Sequence, residues 1–411
     1  MTEQLRVFLG QKLVGWLSQK LLFEYAPSWL EDQESFAISA SLPLSSEPSN
    51  GAFFANLLPE GSVREAVARR VGVSASNDFA LLAAIGGECA GALMILPESA
   101  AFDSDPGYEP LRPETIADMA RRFSVLPEVS GDPRLRLSLA GAQDKLPVRR
   151  DDDGSFWLPV GGAASTHILK VPSRDFKHLP ANEVLVTRLA RRLGLATVDA
   201  ELVDVDGVPI AVVRRYDRIS RGGVISRLHQ EDLCQAMGLL PSTKYEIEGG
   251  PSFAAAMTLV RGQSIRPLVD AGQLLRWLLF LLLGGNADGH GKNISLVHDA
   301  PGRPRLAPFY DLVCTRAYPG IDRSLAMAIG GERDPGQIGR SQLQKLARET
   351  GIGPRLVLGE VERLAAKMPA AFEEVAGEHT AAHGESPAVG LIREVIRRQC
   401  RRTLALLRRS G

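Results

Sequence analysis

The sequence predicts an α+β fold in which a strand-rich first half gives way to a mainly helical second half. Three observations predict it. Short apolar–polar alternations bounded by Gly and Pro crowd the region before Tyr216. Helical periodicity dominates after that point, in stretches such as "SQLQKLARETG" and "RLVLGEVERLAAKM". A hydrophobic content of 45% with 23% charge over 411 residues supplies apolar surface for two or three cores and makes a globular chain, not a disordered one, the default reading.

In chain order, "LRVFLGQKLVGWL" and "LLFEYA" alternate as a hairpin and "SFAISASL" reads as a further strand. "SVREAVARRVG" and "NDFALLAAIGG" follow as helices, each with a polar cap in front and Gly behind. The Pro-, Asp- and Ser-rich "PESAAFDSDPGYEPLRPE" is a loose stretch that marks a boundary near residue 105. From Arg134 to Arg215 come the strands of "RLRLSLAGAQDKLPVRR", "FWLPV" and "THILKVP", the helix "ANEVLVTRLARRLG", and the strands "ATVDAELVDV" and "VPIAVVRRYD". The final helix begins at Ser386 as cap with Pro387 in its first position. Three regions result: 1–105, 106–216 and 217–411.

Bulk charge narrows the function classes. Lys plus Arg and Asp plus Glu are equal at 48, so no overall field points to a dedicated nucleic-acid binder. Cys89, Cys234, Cys314 and Cys400 are far apart and form neither a disulfide framework nor a zinc spacing, which fits reduced thiols in a cytosol. The N-terminus shows no export signal, and the apolar run Trp277 to Leu283, closed by Arg276, reads as a core helix too short to span a membrane.

That apolar run delivers a polar knot: Asn286, Asp288, His290, Lys292 and Asn293. Asp288 followed five positions later by Asn293 is the D-x-x-x-x-N spacing of a protein-kinase catalytic loop. A loop that turns on itself aims both side chains into one cleft, one at the nucleophile and one at a metal ion, and Gly289 and Gly291 permit the turn. Asp311, at the end of the strand-like "FYDLV", stands where a second metal-binding Asp belongs, although D-F-G is absent. Upstream, Lys170 ends a strand and Glu183 follows on a helix, the Lys–Glu arrangement that holds nucleotide phosphates. "SLAGAQDK", Ser138 to Lys145, is a small-residue turn whose backbone N–H groups can approach phosphate, and "VVRRYDR" falls at a hinge. Singly, each is an ordinary turn, surface charge or helix-start residue. In this order they compose a bilobal protein-kinase-like fold.

Together "SLAGAQDK", "THILKVP", "VVRRYDR", "NADGHGKN" and "PFYDLV" resemble the HipA family of serine/threonine kinases, the toxins of bacterial toxin–antitoxin pairs. "FFANLLPEGSVRE" and "LAAIGGECAGAL" resemble the N-terminal subdomain that precedes the kinase core in that family. The resemblance implies ATP and Mg2+ as cofactors, Asp288 as general base, and Asn293 and Asp311 as magnesium ligands. It implies a phosphate loop of Ala140, Gly141, Ala142, Gln143, Asp144 and Lys145, with Lys170 on the phosphates and Glu183 in support. It places Arg214, Arg215 and Tyr216 at the hinge, where backbone groups grip adenine, and His290 and Tyr310 beside the nucleotide. Lys292 is either a phosphate contact or a solvated charge. Ser138 is the implied autophosphorylation site, a modification that would add ~2 negative charges where ATP phosphates sit. The implied partners are a HipB-like helix-turn-helix antitoxin, operator DNA through that complex, and a protein substrate such as an aminoacyl-tRNA synthetase.

Two other readings compete. One is a small-molecule phosphotransferase on the same fold. The other is a corepressor whose basic final helix, from Arg393 to Arg409, touches DNA phosphates. Against the latter, that helix reads as an amphipathic surface element with Leu391, Val395, Ile396 and Leu406 facing inward.

Overall fold

The computed structural model describes residues 4–100, 106–122 and 145–409. The chain forms two compact units: Met1–Pro172 with Val203–Ser242 and Ser295–Pro304, and Ser173–Leu202 with Thr243–Ile294 and Arg305–Gly411.

The first unit contains two principal sheets. One is a five-stranded antiparallel sheet in the spatial order Ser49–Asn50, Leu22–Tyr25, Lys12–Ser18, Gln4–Leu9, Leu93–Pro97. Its hairpin carries a register shift between Val7 and Phe8, and its inner face buries Leu5, Val7, Phe23, Phe53 and Phe54. The segment "SFAISASL" is not a strand. It makes only an isolated bridge between Ser39 and Leu42. The Tyr25 hydroxyl accepts from the Ile38 amide at 3.0 Å and donates to the Leu42 carbonyl at 2.7 Å, so a side chain satisfies main-chain groups that a ladder otherwise would. Of the two early helices, Gly61–Val71 and Asp78–Ile85, only the second has a side-chain cap, from Asn77 to the Ala80 amide.

The other sheet has six strands, in the order Ala200–Val205, Val208–Arg214, His167–Lys170, Lys145–Arg150, Phe156–Val160, Gly107–Leu111. Its last strand lies within the stretch that the sequence marks as loose. Pairing against Phe156–Val160 overrides the Pro and Gly there, because Pro110 sits on an edge strand where a missing donor is tolerated. The registers put Lys145 opposite Lys170, and Lys170 opposite Ala211, in one row across three strands.

The second unit is mainly helical. Its central element is Pro267–Gly284, opened by Pro267 and closed by Gly285 in the left-handed region at φ +75°. Trp277, Leu279, Phe280, Leu282 and Leu283 are all fully buried on it. Length and composition alone would let this helix cross a membrane, but most of it is enclosed by protein. At its start the buried Asp270 carboxylate accepts from Ser264 Oγ at 2.6 Å and the Leu306 amide at 2.7 Å, and pairs with Arg266 at 3.0 Å. The helices Arg340–Thr350, Pro354–His383 and Pro387–Arg409 complete the unit.

The final helix buries Ile392, Val395, Ile396, Cys400, Thr403 and Leu407, whereas Leu391 is 44% exposed. The sequence reading puts Leu391 inside, but the buried stripe runs through Ala388, Val389, Ile392, Val395 and Ile396, and the 3.6-residue period leaves Leu391 at its margin. Its arginines are largely tied to protein groups. Arg393 and Arg397 pair with Glu373 at 3.0 and 2.9 Å, and Arg402 donates to the Gly336 carbonyl at 2.9 Å. All four cysteines are buried outside any disulfide.

Candidate active site

The loop that follows the Leu-rich helix is built by close approach. A Cβ on Gly289 would lie 2.1 Å from Leu281 Cδ1 and 3.2 Å from the Trp277 ring. The sequence reads Gly289 and Gly291 as conformational hinges, yet neither adopts a positive φ among the described residues. Gly289 is needed for space, so that the loop can lie directly on the buried helix. The Trp277 ring is in turn stacked on Phe309 at 5.8 Å.

Asp288 emerges exposed from otherwise buried neighbours. Its amide donates to Asn286 Oδ1 at 2.8 Å, and Asn286 Nδ2 donates to the Asp311 carbonyl at 3.4 Å. Asn286 therefore ties the loop to the segment bearing Asp311. Asn293 Oδ1 accepts from the His290 amide at 3.1 Å, and the Asn293 amide donates to the His290 carbonyl at 3.0 Å. This reciprocal pair closes the turn from His290 to Asn293. Asp311 is held at φ +53°, a left-handed conformation that Asp tolerates better than most residues but that costs energy and clusters at functional sites. "FYDLV" forms no strand here. It makes one parallel bridge, Thr197 to Phe309.

His290 is buried and packs edge-on against Tyr245, with ring centroids 5.0 Å apart. Burial, then the Lys244 and Lys292 charges, push its imidazole down to about 3, so it is neutral at pH 7. The Tyr310 hydroxyl donates to the Lys292 carbonyl at 2.6 Å. Lys292 is only 7% exposed, which removes the solvated-charge reading of that residue.

Tyr245 carries no motif signal in the sequence, yet its hydroxyl donates to Asp288 Oδ1 at 2.6 Å. A separation of 43 residues hides it from any local pattern. Asn286 was visible in the polar knot without a role that spacing could assign.

In the first unit, the paired registers place Lys145 and Lys170 side by side on one face of the sheet. Like charges at directly opposed positions repel, and a polyanion between them offsets the repulsion. Arg214 ends the neighbouring strand, and Arg215 and Tyr216 follow it. The Arg215 side chain is fully engaged with protein groups. It donates to Asp217 from Nε and Nη2 at 2.9 and 2.8 Å, and through Nη1 to Glu88 at 3.1 Å and Ser165 Oγ at 2.8 Å. Any nucleotide contact by Arg215 therefore falls to its main chain. Arg218 bonds Glu88 at 2.9 Å and the Gly91 carbonyl at 2.9 Å, and Arg227 pairs with the other Glu88 oxygen. The Gly91 amide donates to Asp217 at 2.7 Å. Burial opposes ionisation of Glu88, but Arg218, Arg227 and Arg215 outweigh it and hold the carboxyl below its usual range. Burial likewise opposes the charges on Asp217 and Arg215, and their mutual attraction outweighs it in both. Arg218 moves the other way, lowered by burial and by Arg215.

Glu183 is buried on the helix Leu179–Arg192 of the second unit. Ser138, Ala140, Gly141, Ala142, Gln143 and Asp144 lie outside the described residues.

Comparison with known proteins bears on the family and the fold. The HipA N-terminal domain family matches residues 5–96 and the HipA-like C-terminal domain family matches residues 137–372. A putative kinase of Sinorhizobium fredii, Y4mE, is 42% identical over 378 residues, covering 88% of this chain and 89% of the relative. The serine/threonine-protein kinase toxin HipA of Shewanella oneidensis is 32% identical over 395 residues, covering 91% of this chain and 89% of that protein. The solved complex of Shewanella oneidensis HipA with HipB and its operator DNA superposes with a TM-score of 0.85 at 30% identity, covering 98% of both chains. The α+β kinase-like fold expected from the sequence is thus the fold of this chain, and the chain belongs to the HipA family of serine/threonine-protein kinases.

Proposed function

We propose that this chain transfers the γ-phosphoryl group of ATP to a Ser or Thr of a protein and acts as the toxin of a toxin–antitoxin pair. The observation that supports the chemistry best is the exposed Asp288, whose loop Asn286 ties to the segment of Asp311 and whose turn Asn293 closes on His290. In this reading Asp288 accepts the proton of the acceptor hydroxyl as its oxygen bonds to the γ-phosphorus and the bond to ADP breaks. Lys145 and Lys170 bear on the phosphates, and the main chain of Arg214 to Tyr216 holds adenine. The neutral His290 and Tyr310 pack beside the nucleotide.

Asn293 and Asp311 offer one amide and one carboxylate oxygen. Among the described residues no group of three His, Cys, Asp or Glu side chains gathers for a metal. A two-oxygen set suits Mg2+, which binds through one or two side chains together with substrate phosphates. When bound, Mg2+ would neutralise phosphate charge.

The description of the Shewanella oneidensis relative as a toxin, solved with HipB and operator DNA, supports the toxin–antitoxin part of this reading. We assign a HipB-like helix-turn-helix antitoxin as partner, with operator DNA reached through that complex, and a translation component such as an aminoacyl-tRNA synthetase as substrate in a cytosolic setting. Autophosphorylation at Ser138 would switch the enzyme off by placing negative charge where ATP phosphates bind. Phosphoproteomics after brief induction of wild type and Asp288→Ala tests the substrate and the Ser138 assignment. Phosphorylation of a translation protein and of Ser138 by wild type alone is expected. An equal phosphoproteome from both proteins would sink the assignment of Asp288.

A further inference from the structure

We propose that Tyr245 is a positioning residue for phosphoryl transfer, orienting the Asp288 carboxylate toward the acceptor hydroxyl. This rests on the reading of Asp288 as general base.

The Tyr245 hydroxyl donates to Asp288 Oδ1 at 2.6 Å, a short bond of the charge-assisted kind. Asp288 is exposed, and an exposed carboxylate rotates freely about its terminal torsion unless something holds it. The main chain of Asp288 is already held, its amide on Asn286 Oδ1 and its carbonyl accepting from the His290 amide at 2.9 Å. The Tyr245 bond adds a hold on the carboxylate itself, at Oδ1.

Tyr245 can do this because it is held from several directions. Its carbonyl accepts from the Glu248 and Gly250 amides at 3.0 and 2.9 Å, which folds residues 245–250 into a tight turn. A Cβ at Gly250 would lie 2.3 Å from the Thr243 carbonyl oxygen, so the turn closes only with glycine there. The Gly291 amide donates to the Lys244 carbonyl at 3.1 Å, joining this turn to the catalytic loop by main chain. Glu246 Oε2 accepts from the Ala328 amide at 2.6 Å and anchors the turn on its far side. The Tyr245 ring, edge-on to His290, completes the clamp.

Tyr245→Phe keeps the ring against His290 and deletes only the hydroxyl. The full chain is assayed by single-turnover label transfer from γ-labelled ATP and Mg2+, to itself and to casein, across ATP concentrations. The rate at saturating ATP is expected to fall about 10- to 100-fold, the scale of a misaligned reacting group. The half-saturating ATP concentration and the thermal midpoint stay at wild-type values. A purely structural role would move the midpoint, and a nucleotide-binding role would move the ATP dependence. Either result, or a wild-type rate in Tyr245→Phe while Asp288→Ala is dead, overturns the proposal and leaves Asp288 as base. Full activity of Asp288→Ala, or no transfer by wild type, overturns the underlying assignment instead.

Discussion

Glu88→Gln tests the buried ion network beside the Arg214 to Tyr216 segment. Glu88 is 1% exposed and meets three guanidiniums, from Arg215, Arg218 and Arg227, with Asp217 as the other carboxylate in the cluster. Glutamine preserves the shape and one acceptor oxygen but deletes the charge, so three cations then share a single anion. Breaking a buried pair by removing one partner costs about 3–5 kcal/mol, and the retained acceptor argues for the lower end, about 3 kcal/mol. Screening does not reduce this, since both Glu88 and its principal partners are buried. For a unit of this size the loss lowers the thermal midpoint by roughly 6–12 °C. The pH dependence has a definite sign. Because the folded carboxyl is held below its ordinary 4.5, the stabilisation is complete above that value and is lost as pH falls through the lower folded value. Urea unfolding at pH 7, 5 and 3.5 is the assay. Wild type should exceed Glu88→Gln by the full amount at pH 7 and 5, with the gap narrowing at 3.5. A difference below about 1 kcal/mol at pH 7, or one that does not change with pH, would refute the electrostatic account of this cluster.

Two further outcomes follow from the same physics. Burial pushes Glu231 up to about 7, opposed by the Ser39 hydroxyl and the Ala40 amide. A raised carboxyl stabilises the fold below its unfolded value and loses that contribution as pH climbs through 7, so Glu231→Gln should be more stable than wild type at pH 8 by up to about 3 kcal/mol. Urea titrations at pH 5 and 8 check this, and equal pH slopes would contradict it. Gly289→Ala inserts a methyl 2.1 Å from Leu281 Cδ1, so the loop must lift from the helix. Destabilisation of about 1–3 kcal/mol is expected, with label transfer reduced far more than ATP affinity. Calorimetry and single-turnover kinetics separate the two, and unchanged transfer would show that the Asp288 loop tolerates displacement.

Much of this protein was legible in its sequence because the informative features are local. The Leu-rich helix, its Gly285 cap and the Asp288 to Asn293 spacing are properties of short windows, governed by periodicity and backbone preference. The paired lysines follow from two recognisable strands once their register is known. The misreadings share a cause as well. "SFAISASL" alternates like a strand but has its amide and carbonyl groups met by Tyr25, and Gly107–Leu111 forms a strand despite its Gly and Pro because an edge was open to it. Tertiary partners decided both.

By itself the sequence determined which residues could do chemistry, through spacings a single loop or strand must respect. Only the tertiary structure decided what holds them. Tyr245 reaches Asp288 across 43 residues, Glu88 reaches Arg215 across 127, and Gly289 is required by Trp277 and Leu281 and not by its own torsions. The physical reason is that hydrogen bonds, ion pairs and steric contacts depend on distance in space, whereas composition and periodicity record only neighbours along the chain.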